Sequence, residues 1–163
     1  MDVIFIDGTE TKCLESVIKN KATKIMDLRV ATPSTLEVSV GMDYLIISEE
    51  LATKITKIHI DYKDQKTISD LYNKLKKIYK DSNVIVLLEK GILYVKETAL
   101  RILPYLNSKI NDYFFGAFTY GIANKYGIEK SLKYANIVNS YSIVTKDDVP
   151  SLKEVEVKYA SLK

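Results

Sequence analysis

The feature of this chain that most limits its fold is an alternation of short apolar runs with amphipathic stretches. Val84-Ile85-Val86-Leu87-Leu88 is a near-continuous apolar run, the pattern of a strand in a parallel sheet covered on both faces. Before it, Ile68, Leu71, Tyr72, Leu75 and Ile78 form one stripe between Thr67 and Tyr79, with lysines and aspartates opposite, as in a helix lying on a sheet. The same order holds earlier. Val3 to Ile6 reads as a strand ended by Asp7-Gly8, and Leu14, Val17 and Ile18 give a helical face. A second strand, Lys24-Ile25-Met26, ends at Asp27, and Pro33-Ser34 opens a short helix. Tyr44-Leu45-Ile46-Ile47 is a third strand, with Ser48 as N-cap and Glu49 and Glu50 in the first turn of the helix that follows. This alternation predicts an α/β fold of three layers, α/β/α, around a mostly parallel sheet with right-handed crossovers.

The second half changes character. After a turn at Glu89-Lys90-Gly91, Ile92 to Val95 and Ala99 to Leu103 read as short strands, a hairpin toward the sheet edge. Asn111 is placed to cap a helix from Asp112 to about Tyr126, in which Phe114, Phe115, Ala117, Phe118, Ile122 and Ala123 leave little polar surface. A buried helix is expected. Gly116 and Gly121 each cost it about 1 kcal/mol relative to Ala, which predicts that they permit close packing. Gly127 ends that helix, Ile128 to about Val144 forms the next, and a short helix starts near Leu152 after Pro150.

Composition narrows the function classes. The chain has 163 residues, 47% of them hydrophobic and 28% charged, enough for one sizeable core, and residues 1–163 read as a single domain without repeats or linkers. The net charge of +3 comes from lysines scattered over helical faces, such as Lys74, Lys76, Lys77 and Lys80, so no nucleic-acid partner is expected. The one cysteine, Cys13, allows no internal disulfide and fits a reducing, cytoplasmic compartment. The first residues carry no basic region or long apolar run, so neither export nor a membrane partner is expected. The single histidine, His59, lies in the alternating segment Ile58 to Tyr62 and reads as a surface position. Histidine-based metal sites and Ser/His/Asp triads are therefore excluded, and no metal ligands are assigned.

The run Asn111-Asp112-Tyr113-Phe114-Phe115-Gly116-Ala117-Phe118, followed by Tyr120-Gly121-Ile122-Ala123-Asn124, resembles the Gly-Ala-Gly-Asp-x-Phe-x-Gly-Ala-Phe signature of the ribokinase, or PfkB, carbohydrate kinases. Ser131-Leu132-Lys133-Tyr134-Ala135-Asn136 is similar to the next helix of that family, and Val149-Pro150-Ser151-Leu152-Lys153-Glu154-Val155 to its usual ending. Upstream, Ile6-Asp7-Gly8, the strand end at Asp27, the Met42 to Glu50 stretch and Leu88-Glu89-Lys90-Gly91 fall in family order. The resemblance implies a ribokinase-like fold lacking the N-terminal strands and the β lid, which in the family carry the sugar contacts. It implies ATP-dependent phosphorylation of a sugar hydroxyl, with Asp112 as the catalytic base and ATP and Mg as cofactors. Lys109, Ile110, Asn111, Leu88, Gly91 and Asn139 stand at positions implied to bind the nucleotide.

Phosphoryl transfer needs positioning and charge stabilisation, which a glycine turn and a helix N-terminus provide. Here Lys109-Ile110-Asn111 replaces the glycine turn, and a β-branched isoleucine does not take the positive φ angles that glycine allows. Leu88 stands at a usual glycine, Leu51 at the glutamate of the family's Asn-x-x-Glu element, and Thr145-Lys146-Asp147-Asp148 puts two carboxylates near the expected nucleotide. These departures predict a degenerate anion hole, and the absence of the sugar half of the site predicts no activity of this part alone. The alternative expectation is a non-catalytic interaction protein, whose exposed sheet edge pairs as a homo-oligomer or with a separate N-terminal half.

Overall fold

The computed structural model describes residues 1–10, 12, 14–107, 110–144 and 149–162. Cys13, Lys109, Thr145, Lys146, Asp147 and Asp148 lie outside the described residues. The chain forms two compact units, Asp2–Ile102 and Leu103–Lys163, Met1 grouping with the second.

The first unit carries the alternation expected from the sequence. Its elements are β1 (Val3–Asp7), α1 (Leu14–Lys19), β2 (Thr23–Leu28), α2 (Pro33–Val38), β3 (Tyr44–Ser48), α3 (Glu49–Thr56), α4 (Gln65–Ile78), β4 (Asn83–Leu88), β5 (Gly91–Lys96) and the start of β6 (Ala99–Pro104), whose last two residues belong to the second unit. The sheet order is the chain order, β1-β2-β3-β4-β5-β6. Strands β1 to β4 pair in parallel, and β5 turns back antiparallel on β4 with Leu88 opposite Gly91. The two strands expected as a hairpin, β5 and β6, are neighbours at the edge of the sheet.

Strand side chains alternate between faces. Met26, Leu45, Val84 and Val86 join Leu71, Tyr72 and Leu75 of α4 in one core. Their neighbours Ile25, Ile46, Ile85 and Ile92 are 0% exposed as well. With both faces buried from Val84 to Leu88, β4 is apolar after its exposed first residue, Asn83. Tyr72 donates its hydroxyl to the Val84 carbonyl at 3.2 Å, tying α4 to the strand beneath it. Ser48 caps α3 as predicted, its Oγ accepting the Leu51 N–H at 3.2 Å. Gly8 is required by close approach, since a Cβ there would lie 2.1 Å from the Val30 carbonyl oxygen and 2.2 Å from that of Asp27.

The second unit contains α5 (Asp112–Ala123), α6 (Ile128–Val144) and α7 (Leu152–Ser161). Phe114 and Phe118 are fully buried and Ile122 nearly so. At Gly121 a Cβ would meet Ser131 Oγ at 2.6 Å, so this glycine does permit close packing of α5 on α6. Two expectations for α5 are corrected. Tyr113, Gly116 and Tyr120 form an exposed face, and Gly116 has nothing within 4 Å of its missing Cβ, so that glycine packs against no neighbour. The helix also stops at Ala123, short of Tyr126, because Lys125 enters the left-handed region at φ 60. Ser151 and Glu154 cap α7 reciprocally.

Candidate functional site around Asp112

The chain enters α5 under the control of two asparagines on α6. Asn139, 0% exposed, accepts the Asn111 backbone N–H on Oδ1 at 3.0 Å. One turn earlier, Asn136 accepts the Leu106 N–H at 3.1 Å and donates to the Pro104 carbonyl at 2.8 Å. Positions three apart share a helix face, and an amide side chain both donates and accepts, so this pair holds the backbone that leads to Asp112. Asn111 then adopts an extended conformation, φ −122 and ψ −178, and its Oδ1 accepts the Tyr113 N–H. The residue immediately before Asp112 therefore has extended backbone in place of a left-handed conformation.

Asp112 is the first residue of α5 and is exposed. A carboxylate there is favoured by the positive end of the helix dipole. It borders a cavity of about 620 Å3 whose other walls include Tyr113, Gly116, Ala117 and Tyr120 of α5, Tyr134 and Val138 of α6, and Pro150, Leu152 and Val155. The absence of a Cβ at Gly116 opens this space. Tyr134, 2% exposed, has its phenol pKa pushed up by burial and then by the nearby Glu156 carboxylate.

Leu88 and Gly91 lie in the first unit, Leu88 at the carboxyl end of β4 and Gly91 opposite it at the start of β5. Leu88 is 3% exposed, and its side chain belongs to the sheet core. Beside it is a contact set that sequence reasoning missed. The Glu89 N–H donates to Glu49 Oε2 at 2.7 Å and to the Tyr62 hydroxyl at 2.9 Å, and that hydroxyl donates to Glu49. Burial, then the Glu49 carboxylate, raises the Tyr62 phenol pKa. Glu49 is thereby committed to the β4–β5 turn. At the ends of β1 and β2, Asp7 and Asp27 are paired in register, and Arg29 bonds Asp27 through Nη2 at 2.9 Å. Thr9, through its backbone and side chain, holds the Asp7 carboxyl below its ordinary pKa. His59 is exposed, as expected.

No protein-family model and no curated protein sequence matches the chain. Solved structures do. The chain has the ribokinase-like α/β fold, a six-stranded, mostly parallel sheet flanked by helices. It is similar to the ribokinase of Thermotoga maritima, at 21% identity and TM-score 0.67, over 96% of this chain and 56% of that one. It is also similar to the Arabidopsis thaliana ribokinase complexed with ribose and ATP, at 18% identity and TM-score 0.69, over 94% of this chain and 54% of that one. A third match, an Escherichia coli protein classed as a ribokinase II and complexed with ATP and Mg2+, has 14% identity and TM-score 0.66, over 95% of this chain and 57% of that one. The chain thus spans about half the length of these structures.

The described residues at Asp112 do not fit a triphosphate. Asn111 occupies the Tyr113 amide, one of the donors that a helix N-terminus offers to an anion. No described lysine or arginine lines the cavity, and its walls are mainly apolar around one carboxylate. Among the described residues no group of three or more His, Cys, Asp or Glu is arranged to hold a metal ion.

Proposed function

We propose that this chain is a carbohydrate-kinase-like protein, a single ribokinase-like domain over residues 1–163, in which Asp112 keeps the place of the base toward a sugar hydroxyl. ATP-dependent sugar phosphorylation is the reaction its fold relatives suggest, and these 163 residues do not perform it alone. The observation that carries this reading is Asp112 at the start of α5, held by Asn111 and Asn139 beside an open cavity. Support for inactivity comes from the extended backbone at Asn111 and from the capped Tyr113 amide. The test is ADP formation from Mg-ATP with a panel of pentoses and hexoses. No turnover is expected. Turnover that Asp112→Asn abolishes would overturn the inactivity and establish Asp112 as the base.

A second reading is favoured by one observation. Among the described residues strand β1 has a sheet neighbour on one side only, and Phe5 within it is 40% exposed. Such an edge accepts a further strand, so the chain would serve as an interaction protein, pairing with a second copy or a separately encoded N-terminal half. Sedimentation velocity of the purified chain tests self-pairing: a dimer agrees with it, and a strict monomer at all concentrations counts against it.

A further inference from the structure

The far wall of the Asp112 cavity is formed by Pro150, Leu152 and Val155, so the cavity keeps that wall only while α7 lies on α6. Helix α7 has 10 residues, too few for stability in isolation. Its apolar grip is small: Val155 is 2% exposed, whereas Leu152 and Val157 are 49% and 66% exposed. A second fastening is present. Lys130 Nζ lies 3.9 Å from the ring centroid of Tyr126, 5.1 Å from that of Tyr134 and 5.6 Å from that of Tyr159. The carboxylate of Glu156 is 4.0 Å from the same nitrogen. Tyr134 stands with its centroid 5.1 Å from that of Tyr126 and 5.1 Å from that of Tyr159, at interplanar angles of 64° and 53°. Three aromatic rings and a carboxylate around one cation is the arrangement that binds alkylammonium groups, each ring attracting a cation within about 6 Å of its centroid. Lys130 and Tyr134 belong to α6, Tyr126 to the turn before it, and Tyr159 and Glu156 to α7, so the cation joins the two helices.

We propose that Tyr126, Tyr134, Tyr159 and Glu156 form a cation-binding site, occupied by the chain's own Lys130, that fastens α7 and so sets whether the Asp112 cavity keeps its far wall. The ligand class of this site is a small alkylammonium ion. Removing the charge of Lys130 releases α7, and a free alkylammonium ion substitutes for a missing Lys130 side chain. The consequence for Asp112 rests on the kinase-like reading given above; the clasp does not.

Hydrogen exchange of the full chain, without nucleotide, tests it. Lys130→Met keeps the length and loses the charge, and is expected to speed exchange of the α7 amides about fivefold or more while those of α5 stay as in the parent. Lys130→Arg keeps the parent pattern. In Lys130→Ala, methylammonium chloride slows α7 exchange and sodium chloride at equal ionic strength does not. Parent-like α7 protection in Lys130→Met overturns the proposal, as does faster exchange of α5 together with α7, or equal effects of the two salts on Lys130→Ala. Because no nucleotide enters the measurement, its failure would leave the reading of Asp112 standing, and loss of that reading would leave the clasp.

Discussion

Two glycines of α5 show how far one residue's environment lies beyond its local sequence. Gly116 and Gly121 occur in the same apolar stretch and both suggested close packing. Only Gly121 approaches another backbone, with a missing Cβ 3.0 Å from Ser131 Cα; Gly116 faces open space. Gly121→Ala should therefore lower stability by about 1–3 kcal/mol through overpacking. Gly116→Ala should raise it by up to about 1 kcal/mol through helix propensity. Thermal unfolding of the two variants checks the opposite signs. Asn111 was legible as a cap because the residue type and the following apolar run announce it. Asn139 was placed at the nucleotide by resemblance, whereas its Oδ1 bonds the Asn111 backbone, a contact between residues 28 apart that no local pattern encodes. Asn111→Ala removes the bond to the Tyr113 amide and should cost about 1 kcal/mol, measurable by urea denaturation.

Among elements, those with a strong period were read with little error. The stripe of α4 and the apolar run of β4 carry their burial in their spacing, and the observed α4 begins two residues before the expected Thr67. The cluster of Glu49, Tyr62 and Glu89 was missed because it joins residues 13 and 40 positions apart, and each is unremarkable in its own segment. The docking of α4 also has a pH signature. Burial raises the Tyr72 phenol from the ordinary 10 to about 12, so folding favours its neutral form. That stabilisation is complete below pH 10 and is lost as pH rises toward 12. Tyr72→Phe cannot ionise and should flatten the fall in unfolding free energy across this interval, as read by denaturant titrations at stepped alkaline pH. An unchanged slope would mean that other tyrosines carry the whole effect.

For the whole molecule, the α/β alternation was sufficient to give the fold class, and the resemblance gave its ribokinase-like form, with which the solved structures agree at TM-scores of 0.66 to 0.69. Sheet order was not legible, since strand sequences buried on both faces look alike whichever neighbour they take. At the candidate site the helix start was legible and its surroundings were not. Asp112 is the first residue of α5, but the amide beside it is already bonded to Asn111, and the described cavity walls offer a phosphate no cation. A fold shared with sugar kinases therefore carries an aspartate without a described phosphate cradle. Calorimetric titration of the purified chain with Mg-ATP tests this most directly. No saturable heat is expected up to a nucleotide concentration of about 5 mM; saturable binding with a Kd below about 1 mM would show that a phosphate cradle is present after all.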